Sequence, residues 1–515
     1  MPATDEAIPP SRLERILNRV ERVGNRLPDP FYLFVWLFVV LAAVSTAIAA
    51  FGVTVTIPGT SEALPIKGLI SGEGLEYLLD SAVDNFVSFP PLGNIVMMLM
   101  AVGVAERTGL LEAVVRATFS RAPAWLLPYA LALVCFQAHV MSDVSVIVIP
   151  PLAALVFLHA GRHPVAGAIG AFAMVMGGYG AGVLIGSLDA LLFGITEETA
   201  GIITSVPEPH LHIAMNWFFT AASGMILPFV GAWILAKVVE PRLGTYAPPE
   251  GAAAEADDGP LVSDAMRAGM RRAGLWTGGY VLIAAIGWLI PGSPLRGEGD
   301  AFVPSPLLSG MVPLLFVAFM VAGISYGTGA GTLGGATGVP KKMADAVRDI
   351  APYIVLIFAI SQVLGVFEWS NVGTLLAVKA AAGMQAIHMT GFTAILMFVL
   401  LASVINLFIT SGSAMWSLLA PVFVPAFMLL NYDPAFIQAA FRIGDSATQI
   451  ISPMNLYVYV ALGAIQKYEP ELKVGGLIVR LSVFVVPFWV IWAALLGVFY
   501  FADLPVGPGN GVHLP

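Results

Sequence analysis

The sequence predicts an all-α polytopic membrane protein, with about nine transmembrane helices plus two re-entrant helical hairpins in inverted repeats. Three observations predict it. The 515 residues are 58% hydrophobic and only 11% charged, whereas globular proteins carry about 25% charged residues. Several apolar runs reach the roughly 20 residues that cross a bilayer as helix. The middle of the chain is also written twice. Gly103-Val104-Ala105-Glu106 recurs as Gly365-Val366-Phe367-Glu368. Met141-Ser142-Asp143-Val144-Ser145 starts ten residues before Pro151, and Pro164 follows thirteen after it. Ser411-Gly412-Ser413-Ala414-Met415 starts ten residues before Pro421, and Pro434 follows thirteen after it. The offset is 262 residues at the first pair and 270 at both prolines, so the second copy carries eight extra residues. Duplicated membrane segments, broken at matching polar residues, are the mark of secondary transporters that hold substrate at the breaks.

The elements follow in order. Residues 1–30 are a tail whose Arg12, Arg15, Arg19, Arg22 and Arg26 place it in the cytoplasm. The first apolar run ends in small residues, but its length and the 30 residues before it exclude a signal peptide, leaving a helix over 31–52. The loop beyond holds Glu62, Glu73, Glu76, Asp80 and Asp84 against one lysine, so it lies outside. A helix over 92–106 returns to Arg107, Arg116 and Arg121 inside. Trp125–Val140 and Val144–His159 are sixteen residues each. Such helices are about 24 Å long, short of the roughly 30 Å core. Basic residues flank the pair at both ends, so it forms a hairpin, about 123–160, entering from the cytoplasm with Ser142 and Asp143 at its tip. A helix from Pro164 to Phe193 is interrupted at Gly177–Gly182, and Glu197 and Glu198 put its end outside. A helix over 211–237 comes back to Lys237 and Arg242. The first membrane half is thus 31–240.

Residues 241–266 are a cytoplasmic linker rich in Pro, Ala, Gly and acid, and 267–515 is the second half. Helices over 273–292 and 306–323 lead to a Gly-rich loop carrying Lys341, Lys342 and Arg348. A helix over 350–368 runs outward, and residues 391–430 form the second hairpin, entering from outside. A helix from Pro434 is broken near Ser452-Pro453, and a last helix over 481–501 leaves the C-terminus outside. An odd number of crossings separates the copies, so their orientations are opposite.

Several function classes are excluded by what is missing. The single cysteine, Cys135, makes neither an intrachain disulfide nor a metal site. No CxxC, HExxH, GxxxxGK[ST] or GxSxG occurs, so nothing points to an ATP-driven pump or a hydrolase. Gly334-Gly335-Ala336-Thr337-Gly338 lacks the phosphate-loop spacing and reads as a loop.

An ionisable side chain at mid-bilayer costs at least about 2.5–3.5 kcal/mol, so it faces a partner or a cavity. Arg442 and Asp445, spaced i, i+3, share a helix face. They are either a self-neutralising ion pair or a coupling and substrate site. The polar run Gly444–Gln449 opposite the second hairpin tip favours the site. The Asp445 carboxylate, the Asn406 amide oxygen and free carbonyls at a helix break are hard ligands of the kind that hold Na⁺. Asp445 alone could instead carry a proton. Ser411, Gly412 and Ser413 open a half-helix whose N–H groups attract a carboxylate; an ordinary Ser cap is compatible with that. Trp416, one turn on, is either an interfacial ring or one that stacks on substrate. Ser142 and Asp143 are the first-copy equivalents. Asp189, read as near the outer end of its span, is a structural contact or a site carboxylate. Glu106 and Glu368 read as interfacial, and His139 as a weaker candidate. Pro151, Pro164, Pro421, Pro434 and Pro453 shape helix starts and kinks.

The run Ser411 to Pro421, followed by Phe441-Arg442-Ile443-Gly444-Asp445-Ser446 and Ser452-Pro453-Met454-Asn455, resembles the p-aminobenzoyl-glutamate transporter (AbgT) family. The resemblance spans nearly the whole chain. It implies a homodimer in the bacterial inner membrane, built in the style of the wider ion-transporter superfamily. It also implies transport of p-aminobenzoyl-glutamate, or export of sulfonamide antimetabolites, driven by Na⁺ or H⁺, with direction and ion left open. No cofactor beyond a bound Na⁺ and no nucleic acid are implied. Onto matching positions it carries Asp189, Asn406, Ser413, Trp416, Arg442, Asp445 and Pro453 as the functional set. The substrate's ring suits Trp416, and its carboxylates suit Arg442 or the hairpin N-termini. Three alternatives stand beside it: a transporter of another small carboxylate, a channel, and an intramembrane protease using Asp445 and Asp189. The protease lacks a nucleophile–base pair.

Overall fold

A computed structural model describes residues 30–56, 63–120, 123–141, 144–203, 205–207, 209–246, 262–335, 337–388 and 390–515. The N-terminal tail, most of the linker, and Ser142 and Asp143, expected at a hairpin tip, lie outside the described residues. The described chain is helical except for a small ribbon, β1 (Thr54–Thr56) antiparallel to β2 (Ala63–Pro65), with Val55 opposite Leu64.

Two helices come first, α1 (Pro30–Ala50) and α2 (Gly72–Val87). The first copy follows as α3 (Pro90–Arg107), α4 (Leu110–Ser120), α5 (Leu127–Gln137), α6 (Val144–His159), α7 (Pro164–Gly177), α8 (Ser187–Ala200) and α9 (Trp217–Ile234). Three helices of twelve residues or more bridge the copies among the described residues, α10 (Asp264–Leu289), α11 (Met311–Ala330) and α12 (Gly338–Asp349). The second copy is α13 (Ala351–Trp369), α14 (Val372–Ala386), α15 (Phe392–Asn406), α16 (Gly412–Met428), α17 (Pro434–Gln449), α18 (Tyr457–Gln466) and α19 (Val474–Phe501). The copies therefore match element by element. Proline opens α7 and α17, where its missing N–H is no loss and its φ suits the first turn. Asp433 accepts the Ala435 N–H at 2.8 Å and caps α17.

The copies are interlocked. Within each copy a hairpin arm lies on the broken helix, α6 on α7 and α15 on α17. Between copies, α16 runs along α8 and α6 along α18, while α7 crosses α17. Every residue of α7 is buried. So is nearly all of α17, although it carries Gln438, Arg442, Asp445, Ser446 and Gln449. A helix with a polar face that still avoids solvent must turn that face to partners inside the protein. The periphery is the reverse: α1 exposes Tyr32, Trp36 and Val40, and α10 exposes Leu275, Trp276 and Ile283. Apolar surface of that extent faces lipid. By length and composition, six stretches among the described residues are long and apolar enough to cross a membrane: Pro30–Ala50, Gly72–Arg107, Trp217–Leu243, Met311–Ala330, Ala351–Trp369 and Val474–Phe501.

Four segments differ from the sequence-based expectation. Residues 53–91, expected as an acidic loop, contain the ribbon and α2. The acids of α2 masked apolar residues at helical spacing, Leu75, Leu78, Leu79, Ala82 and Phe86, behind a Ser71 cap that accepts the Gly74 N–H at 3.0 Å. Lys341, Lys342 and Arg348 sit on α12, not in a loop, because Met343, Ala346, Val347 and Ile350 give that stretch an inward stripe. The short helices α4 and α14 were not anticipated.

Candidate functional site

The second helix break, 450–456, meets the turn 407–411 that joins α15 to α16, and the first, 178–186, closes onto α17. Arg442, in the middle of α17, is the hub. Its Nη2 donates to Asp189 Oδ1 at 2.8 Å, and its Nε to Asn216 Oδ1 at 3.3 Å. Asn216 Nδ2 in turn donates to the Ala435 carbonyl at 2.6 Å. The Arg442 and Asp189 side chains are only 4% and 10% exposed. Arg442 thus pairs with Asp189 across the copies, not with Asp445 one turn along its own helix. Asp189 is also not near an outer helix end. It stands in the first turn of α8, at the break, where its Oδ2 accepts the Gly186 N–H at 2.8 Å. Gly180 closes this break onto α17 by donating its N–H to Ser446 Oγ at 2.9 Å. A Cβ there would lie 2.8 Å from that oxygen and 3.1 Å from Arg442 Cβ, so only glycine permits the approach.

Asp445, 2% exposed, faces the hairpin turn. Its Oδ1 accepts from Asn406 Nδ2 at 3.1 Å, and Asn406 Oδ1 lies 3.1 Å from the Thr448 hydroxyl. A Cβ on Gly412 would come within 2.6 Å of Asp445 Oδ2, so the carboxylate is pressed against the start of α16. Ser411 caps that start, accepting from the Ala414 N–H at 3.4 Å, and its Oγ is 3.2 Å from Ser413 Oγ. Gln449, one turn beyond Asp445 on the same face, donates to the Thr410 carbonyl at 3.0 Å. Its Oε1 is buried without a hydrogen-bond partner. Pro453 is buried in the break after α17. Its neighbour Ser452 donates to the Leu407 carbonyl at 2.9 Å, which fastens the break to the hairpin turn.

Trp416 is fully buried, so it belongs to no interfacial belt. Its Nε1 donates to Thr196 Oγ1 of α8 at 2.9 Å, and its ring lies 4.5 Å from that of Phe441. Two cavities flank this layer. One, of about 200 Å³, reaches Gly412, Ser413 and Ser187 from a mouth beside Arg107 and Asp349. The other, of about 520 Å³, lies at the Ala200 end of α8 and is lined by Glu197, His210, His212 and Ser305. On α8 their nearest lining residues are Leu191 and Glu197, about 9 Å apart along the helix.

The structure therefore gathers Asp189, Asn406, Ser411, Ser413, Trp416, Arg442, Asp445 and Pro453 around the two breaks. Glu106 lines the smaller cavity, and His139 Nε2 lies 2.7 Å from the Leu184 carbonyl at the first break. Ser142 and Asp143 lie outside the described residues. Sequence reasoning missed Asn216 and Thr196. Asn216 interrupts the apolar run Ile213–Phe219 and was open to the same mid-membrane polar argument. Thr196 carried no such signal, since a threonine can satisfy its hydroxyl within its own helix, as it does on the Leu192 carbonyl at 2.9 Å.

The chain matches the family model of AbgT transporters over residues 15–514. It is 36% identical over 502 residues to the p-aminobenzoyl-glutamate transport protein of Escherichia coli K12, covering 97% of each chain. Its fold superposes on the YdaH transporter of Alcanivorax borkumensis, described as having an unusual topology, with a TM-score of 0.88 and 34% identity, over 93% of this chain and 100% of that one. MtrF of Neisseria gonorrhoeae, described with a class of antimetabolite efflux pumps, gives 0.89 and 34%, over 96% and 100%. These relatives are transporters rather than enzymes. Whole-chain coverage at this identity leaves one conclusion: the chain is a multi-pass membrane transporter that belongs to the AbgT family.

Proposed function

We propose that this transporter moves p-aminobenzoyl-glutamate, or exports sulfonamide antimetabolites, across a bacterial inner membrane, coupled to a Na⁺ or proton gradient at Asp445 and working as a homodimer. One observation carries the coupling. A carboxylate 2% exposed has no ion-pair partner among the described residues, accepts from a neutral amide, and is pressed against the N-terminus of a half-helix that lines a cavity. An unneutralised acid at that depth persists where function needs it to exchange a cation. For Na⁺, the oxygens at hand are those of Asp445, the unpartnered Gln449 Oε1 on the same face, and Asn406, whose amide would turn its oxygen inward. For a proton, Asp445 suffices. Arg442 is engaged by Asp189, which leaves a substrate carboxylate to the backbone N–H groups around Ser413. The substrate classes rest on the names of the relatives.

We read the six long apolar stretches, together with α10 and the two broken helices, as nine spans, and α5–α6 and α15–α16 as the hairpins. The reciprocal packing of α16 on α8 and of α6 on α18 supports copies related by an in-plane two-fold. A protease is disfavoured, because Asp189 is committed to Arg442 rather than paired with a second acid. The test is reconstitution in liposomes, with labelled p-aminobenzoyl-glutamate and a sulfonamide followed under separate Na⁺ and proton gradients. Movement that tracks one gradient and vanishes in Asp445→Ala is expected. Gradient-independent movement, or a wild-type rate in that variant, would remove Asp445 from coupling.

A further inference from the structure

The smaller cavity has a charged mouth that the site described above does not use. The α3 side chains Leu99, Val102, Glu106 and Arg107 line one wall at helical spacing, and the far wall reaches the buried Ser413. At the open end Arg107 Nη2 is ion-paired with Asp349 Oδ2. The two side chains differ sharply: Arg107 is 22% exposed and Asp349 is 69% exposed. The guanidinium thus belongs to the cavity wall, and its partner reaches over it from water.

The pair is not what holds α12 against α3. Lys342 Nζ donates to the Arg107 backbone carbonyl at 3.0 Å, and Ala346 packs directly on Gly103. An ion pair with so exposed a partner adds little stability. It is, however, readily exchanged: a carboxylate arriving from water replaces the carboxylate of Asp349 on the same guanidinium fork, like for like. Arg107 is the one cationic side chain among the described lining residues, so a dianion's second carboxylate finds its ionic partner there.

We propose that Arg107 is a specificity-determining residue that selects carboxylate-bearing substrates at the cavity mouth, with Asp349 as its internal competitor. The inference rests on the proposed substrate class. p-Aminobenzoyl-glutamate carries two carboxylates; one suits the N–H groups around Ser413, and the second is the group that Arg107 takes. Sulfanilamide carries none and passes Arg107 without an ionic contact.

An ion-pair fastener and a competitor pair predict opposite things. Removing either partner of a fastener does the same damage. Removing the competitor frees the receptor. Transport of labelled p-aminobenzoyl-glutamate and of sulfanilamide is measured in liposomes for wild type, Arg107→Ala, Asp349→Asn and the double variant. Arg107→Ala is expected to raise KM for p-aminobenzoyl-glutamate by roughly tenfold, the worth of one charge-assisted contact. Sulfanilamide should change by less than about twofold on the same scale. Asp349→Asn lowers KM for the dianion, and the double variant behaves as Arg107→Ala. Parallel losses for both compounds in both single variants would overturn the inference, as would a raised KM for the dianion in Asp349→Asn. Should Arg107→Ala fail to insert, Asp349→Asn decides alone, since it leaves the Lys342 and Ala346 contacts in place. A wild type that moves neither compound sinks the substrate reading itself, a result distinct from any variant pattern.

Discussion

Gly412→Ala is the sharpest perturbation of the hairpin-tip arrangement, because it adds one methyl and no charge. The new Cβ would sit 2.6 Å from Asp445 Oδ2 and 3.0 Å from both Cγ and Oδ1. Ordinary carbon–oxygen contact is about 3.4 Å, so the carboxylate must retreat by roughly 0.8 Å. Its bond from Asn406 is already 3.1 Å, and a retreat of that size takes it past hydrogen-bonding range or drives Asn406 into Thr448. Losing one charge-assisted bond in a buried site costs about 1.5–3 kcal/mol. That is roughly ten- to hundredfold in cation affinity or coupled rate. The intrinsic effect on the helix is opposite. Gly412 has no positive φ, and alanine is favoured over glycine in a helix by about 1 kcal/mol. The variant should therefore still insert, with a melting temperature lowered only by the small difference between these two effects, yet lose gradient-driven uptake in liposomes. A wild-type rate and a wild-type cation KM would show that the contact between the hairpin tip and Asp445 is mere packing.

Arg442→Ala leaves Asp189 and Asn216 buried without their partner and should destabilise the fold by about 3–5 kcal/mol; a melting temperature in detergent within two degrees or so of wild type would contradict this. Trp416→Phe and Thr196→Val each remove the 2.9 Å bond between α16 and α8. Each should cost about 1 kcal/mol, and a double-mutant cycle on thermal stability should show non-additivity, with strict additivity the refuting outcome. Burial pushes the Asp433 carboxyl up to about 6, against the lowering effect of the Ala435 N–H and the Asn510 amide. The folded state then holds a proton that the unfolded state, with its ordinary carboxyl near 4, has released. Stability falls as pH rises from about 4 to 6 and levels off above that. Asp433→Asn should flatten this window, which melting curves at stepped pH would show.

What could be read from the chain alone was what its spacing encodes. The duplication, the short arms and the interrupted helices follow from prolines and small polar residues at matched intervals, and the structure repeats helix for helix from α3–α9 to α13–α19. Charge misled where it coincided with an amphipathic surface helix: the acids of α2 and the bases of α12 read as loop, although their apolar residues keep helical spacing. Partner choice was illegible for a different reason. Arg442 has an acid three residues ahead, yet its bond goes to Asp189, 253 positions away in the other copy. Helical spacing shows which side chains share a face, but not which foreign helix that face meets. Thr196 illustrates the limit, since nothing in its neighbourhood distinguishes it until Trp416 arrives from α16.

Many of the bonds that close the site run between the copies. Arg442 reaches Asp189 and Asn216, Gly180 reaches Ser446, Trp416 reaches Thr196, and Asn455 lies 3.1 Å from Met176 Sδ. Neither copy carries a complete site, and each break is fastened by a residue of the other. Such a junction is stiff against local change but weak along one surface, because the same few bonds resist any relative displacement of the two halves. The Trp416–Thr196 layer is the critical one. It stands between a cavity that reaches Ser413 and a cavity that reaches Ala200. A solute that crossed from one to the other along α8 would have to part α16 from α8 at that layer. The cost is a single indole hydrogen bond and its apolar contacts, while the Arg442–Asp189 pair at the other end of α8 stays closed. The layout thus supplies an opening element and a fixed hub on one fourteen-residue helix.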